Sequence, residues 1–175
     1  MFIYNSVLGT IPSSLMDYIM AKITFKGNQI NTKGDLPKIG EKAPDFKLIR
    51  QDLSEVSLKD FKSKKKILNI VPSLDTGVCA TSAKKFHEKM ANHKDVIVVN
   101  ISMDLPFAQG RFCKAEGLTQ TETLSTFRST FPEDYGVRII DGPLKGLCSR
   151  AVVLIDENDK IVYTEQVPEI TQEPN

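Results

Sequence analysis

Apolar and polar positions follow two different periods along the chain, and the switches between them divide it into strands and helices. Three runs rich in β-branched residues, "KILNIVP" at 66–72, "DVIVVNIS" at 95–102 and "RAVVLID" at 150–156, are apolar almost throughout, as central strands buried on both faces are. Between the first two, the pattern turns helical from about Thr76 to His93. Between the second and third it does so again from Asp104 to Ala115. Strands alternating with helices predict a layered α/β fold. Ahead of them, "ITFKGNQIN" sets two short alternating runs around Gly27 and Asn28, which predicts a hairpin. "GEKAPDFKLI" reads as extended chain entering a further strand. The last apolar run turns at "ENDK" into "IVYTEQV", an antiparallel return that makes the central sheet mixed. No internal repeat and no low-complexity segment is present.

Length and charge narrow this picture. The 175 residues are enough for one domain with a proper core, since domains hold about 100 to 200 residues. Lys plus Arg number 23 against 22 Asp plus Glu, so neither nucleic acid nor a membrane surface is the expected partner; each calls for a basic excess or a basic run. The one such run, Lys64 to Lys66, is read as a solvated loop ahead of a strand. No apolar stretch approaches the roughly 18 to 20 residues of a membrane span. The opening "MFIYNSVLGTIPSSLMDYIMA" lacks a basic start and a continuous apolar region, which makes it a poor signal peptide. Residues 1–19 are expected to be a disordered or misassigned leader, with Met20 of "MAKITFKG" as the start and residues 20–175 as the domain. Without an export signal, the three cysteines are expected in a reducing cytoplasm, where thiols are more often catalytic, metal-binding or inert than structural disulfides.

Each cysteine then has to be weighed. Cys79, Ala83, Phe86 and Met90 fall on one helical face, so Cys79 shares the inward stripe and can be read as a small buried hydrophobe. It also lies in the first turn after Asp75 or Thr76, either of which can cap the helix. There, unpaired backbone N–H groups and the helix dipole favour an anion. Pro72 stops the preceding strand and Gly77 permits close approach. Packing residue and reactive thiol both remain open on these grounds. Cys113 follows Asp104 as N-cap and Pro106 in the first turn, with Gly117 ending the helix. Its expected apolar stripe is Leu105, Ala108, Phe112 and Ala115, and at roughly 100° per residue Cys113 points about 120° from the centre of that stripe. Cys148, just before a core strand, is read as an incidental small residue. Zinc is not expected, because the cysteines lie more than thirty positions apart, with no CxxC and only two histidines. His87 and His93 are read as surface residues. The missing CxxC also argues against a thioredoxin-type reductant, and His87, two turns along the same helix, is too far from Cys79 to be the base of a cysteine hydrolase.

"PSLDTGVC", "DLPFAQGRFC" and "SRAVVLID" together resemble the thiol peroxidase branch of the peroxiredoxins, and the likeness runs from about Ala21 to the end. The resemblance implies a thioredoxin-like fold, a mixed central sheet flanked by helices with an N-terminal β-hairpin. It implies a homodimer that reduces hydrogen peroxide and organic hydroperoxides and is recycled by thioredoxin, with no cofactor and no metal. It further implies that Cys79 is the peroxidatic thiol, Cys113 the resolving thiol, and Arg150 a cation beside them. Thr76 would orient the peroxide and Pro72 exclude water. A Cys79 sulfenic acid would condense with Cys113 to an intramolecular disulfide, with local unwinding because a bridge needs Cα atoms within about 7 Å. The chain departs from the family pattern in residues 1–19, in Cys148, and in ending at "VPEITQEPN", where a final helix is expected to be missing. The alternative function is a peroxide-sensing relay with little turnover of its own; a structural protein with inert thiols is the blandest.

Overall fold

The computed structural model describes residues 20–90, 92–118 and 121–175; the leader expected over 1–19 lies outside the described residues. The predicted hairpin forms from β1 (Lys22–Phe25) and β2 (Asn28–Asn31). Its turn is Lys26–Gly27, both at positive φ, the backbone of a tight two-residue hairpin turn. A second, seven-stranded sheet has the order β4-β3-β7-β6-β5-β8-β9. Its members are β3 (Leu48–Ile49), β4 (Glu55–Val56), β5 (Lys65–Ile70), β6 (Val96–Ser102), β7 (Glu122–Ser125), β8 (Ala151–Ile155) and β9 (Ile161–Gln166). Parallel pairing of β5 with β6 and of β6 with β7 meets antiparallel pairing of β5 with β8 and of β8 with β9. The sheet is therefore mixed, as the hydrophobic pattern predicted, and the fold is thioredoxin-like.

The three apolar runs are the sheet centre because alternate residues are claimed by opposite layers. Leu68, Ile70, Val99, Ile101 and Val153 point into the main core with Phe46, Phe131 and Tyr135. Ile67, Val98 and Val152 face the other way, under Phe86 and Met90 of helix α1 (Gly77–Met90). Both faces are covered, so the strands cannot show the simple inside-outside alternation of a half-exposed sheet. A polar pair sits inside this layer: Asn69 Nδ2 donates to Asn100 Oδ1 at 2.8 Å, and the Ser82 hydroxyl of α1 donates to Asn69 at 3.3 Å.

Two expectations are corrected here. The run Lys64 to Lys66 is a solvated loop only at its start: Lys64 is an exposed bend, whereas Lys65 and Lys66 open β5 and Lys66 is fully buried. Its ammonium donates to the Asp159 carboxylate and to the Asp156 carbonyl, the latter at 3.1 Å. Removing one partner of a buried ion pair strands the other charge away from water, at roughly 3 kcal/mol or more. Asp159 stands at φ 63°, a conformation that asparagine tolerates. Asp159→Asn therefore isolates the charge, and we expect a loss of about 3 kcal/mol in urea unfolding. An unchanged midpoint would mean that the Asp156 carbonyl alone satisfies Lys66.

The second correction concerns helix α2 (Pro106–Glu116). Its N-cap is Leu105, not Asp104, and the expected stripe is not the buried one. Leu105 and Ala115 are exposed, whereas Pro106, Gln109 and Cys113 face inward. The reason is Gln109, whose amide donates to Ser102 Oγ and to the Leu124 carbonyl, each at 3.0 Å. These bonds offset the cost of burying an amide, so a polar residue takes the place that a hydrophobicity pattern reserves for an apolar one. Cys113 lies on the buried face. The helix ends as predicted at Gly117, φ 69°, whose N–H returns to the Cys113 carbonyl.

Candidate active site

The site forms where β5 leaves the sheet. Val71 and Pro72 are buried, and the chain then turns through Ser73, Leu74 and Asp75 into α1. Asp104, displaced from the capping role expected of it, holds this turn. Its carboxylate accepts from Ser73 Oγ, from the Leu74 N–H and from Ser102 Oγ, all at 2.7 Å. One side chain thus ties the turn before Cys79 to the end of β6 and the approach to α2. No local spacing announces this, because Ser73 and Asp104 are 31 positions apart.

Thr76 immediately precedes the helix. Its hydroxyl lies 3.2 Å from the Ser73 carbonyl and donates to Cys79 Sγ at 2.8 Å. Cys79 is the third helical residue and has no exposed surface. Arg150 immediately precedes β8, whose first residue Ala151 pairs with Ile70 at the end of β5, so it reaches the site from the neighbouring strand, and it is also buried. Its Nη2 donates to the same sulfur at 3.2 Å, and its Nε donates to the Ile170 carbonyl at 3.0 Å. Nη1 has no partner among the described residues. Two donors of different chemistry thus converge on one sulfur, an arrangement suited to an acceptor carrying negative charge. The structure brings Thr76, Cys79 and Arg150 into direct contact, with Pro72 buried in the adjoining turn.

Cys113 joins them through packing. It belongs to one apolar cluster with Cys79, Val71, Leu74, Ala83 and Leu118, and its sulfur shares a hydrogen bond with Thr123 Oγ1 at 3.2 Å. Burial pushes its thiol pKa up, against the hydroxyl of Thr123 and the amide of Gln51, so Cys113 stays protonated at neutral pH. All three cysteines are free thiols. Cys148 stands apart in the main core, where burial pushes its pKa up to about 12, and it is no nucleophile at neutral pH. A groove lined by Leu74, Asp75, Asp104, Arg111 and Phe112 runs between the turn and α2.

Among the described residues no cluster of three or more histidine, cysteine or acidic side chains could hold a metal ion, and no helix is long and apolar enough to cross a membrane.

Sequence reasoning overlooked the C-terminal strap beyond β9. The Val167 N–H and the Gln166 amide donate to the Arg150 carbonyl at 3.0 and 2.9 Å. Ile170, three residues on, accepts from the Arg150 side chain. The only local sign was a Glu, Ile and Thr run at 169–171, which has no distinctive periodicity.

Comparison with known proteins gives a consistent picture. Residues 38–175 match the Redoxin family. A thiol peroxidase of Corynebacterium glutamicum is 51% identical over 156 residues, spanning 89% of this chain and 94% of that one. A thiol peroxidase of Leptospira interrogans is 54% identical over 159 residues, spanning 89% and 93%. Among solved structures, a peroxiredoxin-like protein from Aquifex aeolicus superposes with a TM-score of 0.84 at 44% identity, covering 90% of this chain and 92% of that one.

Proposed function

The chain belongs to the redoxin family, in its thiol peroxidase group, and from that premise we propose that it reduces hydroperoxides through Cys79 and Cys113 and is recycled by thioredoxin. The observation that carries this reading is the Cys79 sulfur held between the Thr76 hydroxyl and the Arg150 guanidinium.

The Cys79 thiolate attacks the distal peroxide oxygen. The O–O bond breaks, the leaving oxygen takes a proton to depart as water or an alcohol, and the sulfur becomes a sulfenic acid. Charge builds on both oxygens as that bond stretches. Arg150 can stabilise the sulfur through Nη2 and donate to a peroxide oxygen from Nη1, the nitrogen that has no partner among the described residues. Thr76 orients the peroxide, and its Oγ can accept a hydrogen bond from the peroxide O–H. Pro72 keeps water from the sulfur.

The Cys113 thiol then attacks the sulfenic sulfur, water leaves, and a Cys79–Cys113 disulfide forms. The two residues start on separate helices, and a bridge requires Cα atoms within about 7 Å, so the first turn of α1 and the last turn of α2 unwind. Their shared apolar cluster keeps the partners close while they do. A thioredoxin dithiol then takes over the disulfide by exchange and restores both thiols. The same reading expects a homodimer, tested by sedimentation, in a reducing cytoplasm.

Peroxide consumption coupled to NADPH through thioredoxin and its reductase tests the whole cycle. We expect many turnovers per subunit and, in samples lacking thioredoxin, a Cys79–Cys113 disulfide in the peptide map. Consumption that stops after about one equivalent with thioredoxin present would replace the enzyme cycle with a peroxide-sensing relay.

A further inference from the structure

The backbone carbonyl that aims Arg150, that of Ile170, is itself held from a part of the molecule remote from the chemistry. Residues 168–170 run beside β1 and meet it through a single isolated bridge. The Thr24 N–H donates to the Pro168 carbonyl at 2.7 Å and the Ile170 N–H to the Thr24 carbonyl at 2.9 Å, and Thr24 and Glu169 form a parallel bridge. Ile170 is buried in the apolar cluster of the hairpin with Ile23, Ile30 and Ile139.

Between these residues the Glu169 carboxylate gathers five donors. The N–H groups of Lys26 and Gly27, at the tip of the hairpin turn, reach it at 3.1 and 3.0 Å. The Thr24 hydroxyl reaches it at 2.9 Å. The Thr171 N–H and hydroxyl, from the other side of Ile170, reach it at 3.1 and 2.7 Å. These contacts, led by the Gly27 N–H and the Thr171 hydroxyl, hold the Glu169 pKa down to about 2, so the clamp is charged at every physiological pH.

We infer that Glu169 is a positioning residue for the peroxidase reaction: it locks Ile170 against the hairpin, so that the Ile170 carbonyl holds Arg150 Nε and directs the guanidinium at Cys79. The inference rests on the peroxidase reading of Cys79. The Arg150 backbone is secured separately, by Val167 and Gln166, so Glu169 bears on the side chain alone. An arginine with its Nε bond intact has its guanidinium plane defined. One without it can swing, and a displacement of about 1 Å at a reacting group costs up to about a hundredfold in rate.

The rival account is that Glu169 merely holds the hairpin down. A double-mutant cycle separates the two, because a residue acting through Arg150 loses its effect when Arg150 is gone. The quantity measured is the second-order rate of Cys79 oxidation by hydrogen peroxide in the full chain, below its melting temperature. We expect Glu169→Gln to lower it about tenfold to a hundredfold with Arg150 present and by less than about twofold in an Arg150→Met background. Thr171→Val, which removes one donor and leaves the carboxylate in place, should show a smaller loss with the same dependence on Arg150. Equal factors in both backgrounds, or no change with Arg150 present, would overturn the inference while leaving the site reading intact. An unmutated chain whose Cys79 does not react with peroxide would overturn both.

Discussion

We expect a Cys79→Ser chain to consume no peroxide above background, and a Cys113→Ser chain to reduce one equivalent rapidly and then fail to cycle with thioredoxin. Both follow from the two positions. The sulfur at 79 receives donors from Thr76 and Arg150, and a serine hydroxyl there would keep its proton and lack the nucleophilicity of a thiolate. Cys113 is buried, protonated and bonded to Thr123, so on the proposed mechanism it contributes nothing to the first oxidation and acts only in releasing Cys79 from it. The Cys113→Ser chain should accumulate a sulfenic acid at Cys79 that a dimedone-type probe labels, and a lasting excess of peroxide should carry it onward to the sulfinic acid. Sustained cycling by Cys113→Ser with thioredoxin would remove Cys113 from the mechanism. Cycling by Cys79→Ser would remove the mechanism itself.

Arg150→Met should slow the peroxide reaction by about a hundredfold to a thousandfold, the range seen when one donor to developing charge is lost from a preorganised site. The magnitude is diagnostic. A thiol of ordinary pKa is already a few per cent thiolate at neutral pH, so an effect exerted only through ionisation is limited to about thirtyfold. Part of even that is returned, because nucleophilicity falls as the thiol becomes more acidic. A loss beyond thirtyfold therefore requires that the guanidinium also act on the peroxide, which is the role open to Nη1. Stopped-flow oxidation of Arg150→Met and of Arg150→Lys decides it. Lysine restores the charge without the Nε bond to Ile170 or the two-pronged donor, so it should recover only part of the rate. A loss confined to thirtyfold, fully repaired by lysine, would reduce Arg150 to a counter-ion.

The central strands were legible because burial on both faces leaves a largely apolar signature in β5, β6 and β8. The hairpin turn and the stop at Gly117 were legible because left-handed backbone demands particular residues. Cys79 stood out because its place in the first turn of a helix is local, whereas the role of Thr76 came through the family likeness. What escaped is what depends on partners distant in the chain. Lys66 looked like surface because its counter-charge, Asp159, lies 93 positions away. The buried face of α2 was misjudged because Gln109 meets acceptors on β6 and β7 that no helical periodicity encodes. Asp104 has the residue type and place of an N-cap, yet its carboxylate is occupied across the sheet by Ser73 and Leu74. The placement of Arg150 came through the family likeness. Its spacing from Cys79 alone would have left it a strand-end surface cation.

Arg150 lies 71 positions after Cys79, and Ile170 another 20 beyond it. Synthesis from the N-terminus therefore delivers the thiol long before the groups that equip it. While the ribosome is still translating β6 and α2, Cys79 has no guanidinium beside it. Even with Arg150 made, its Nε bond to Ile170 is missing until the strap has emerged and closed on the hairpin, which is made before it. On the proposed mechanism, full peroxide reactivity at Cys79 therefore follows the closing of the strap on the hairpin, and a chain still short of that strap carries a thiol that its guanidinium has not yet equipped.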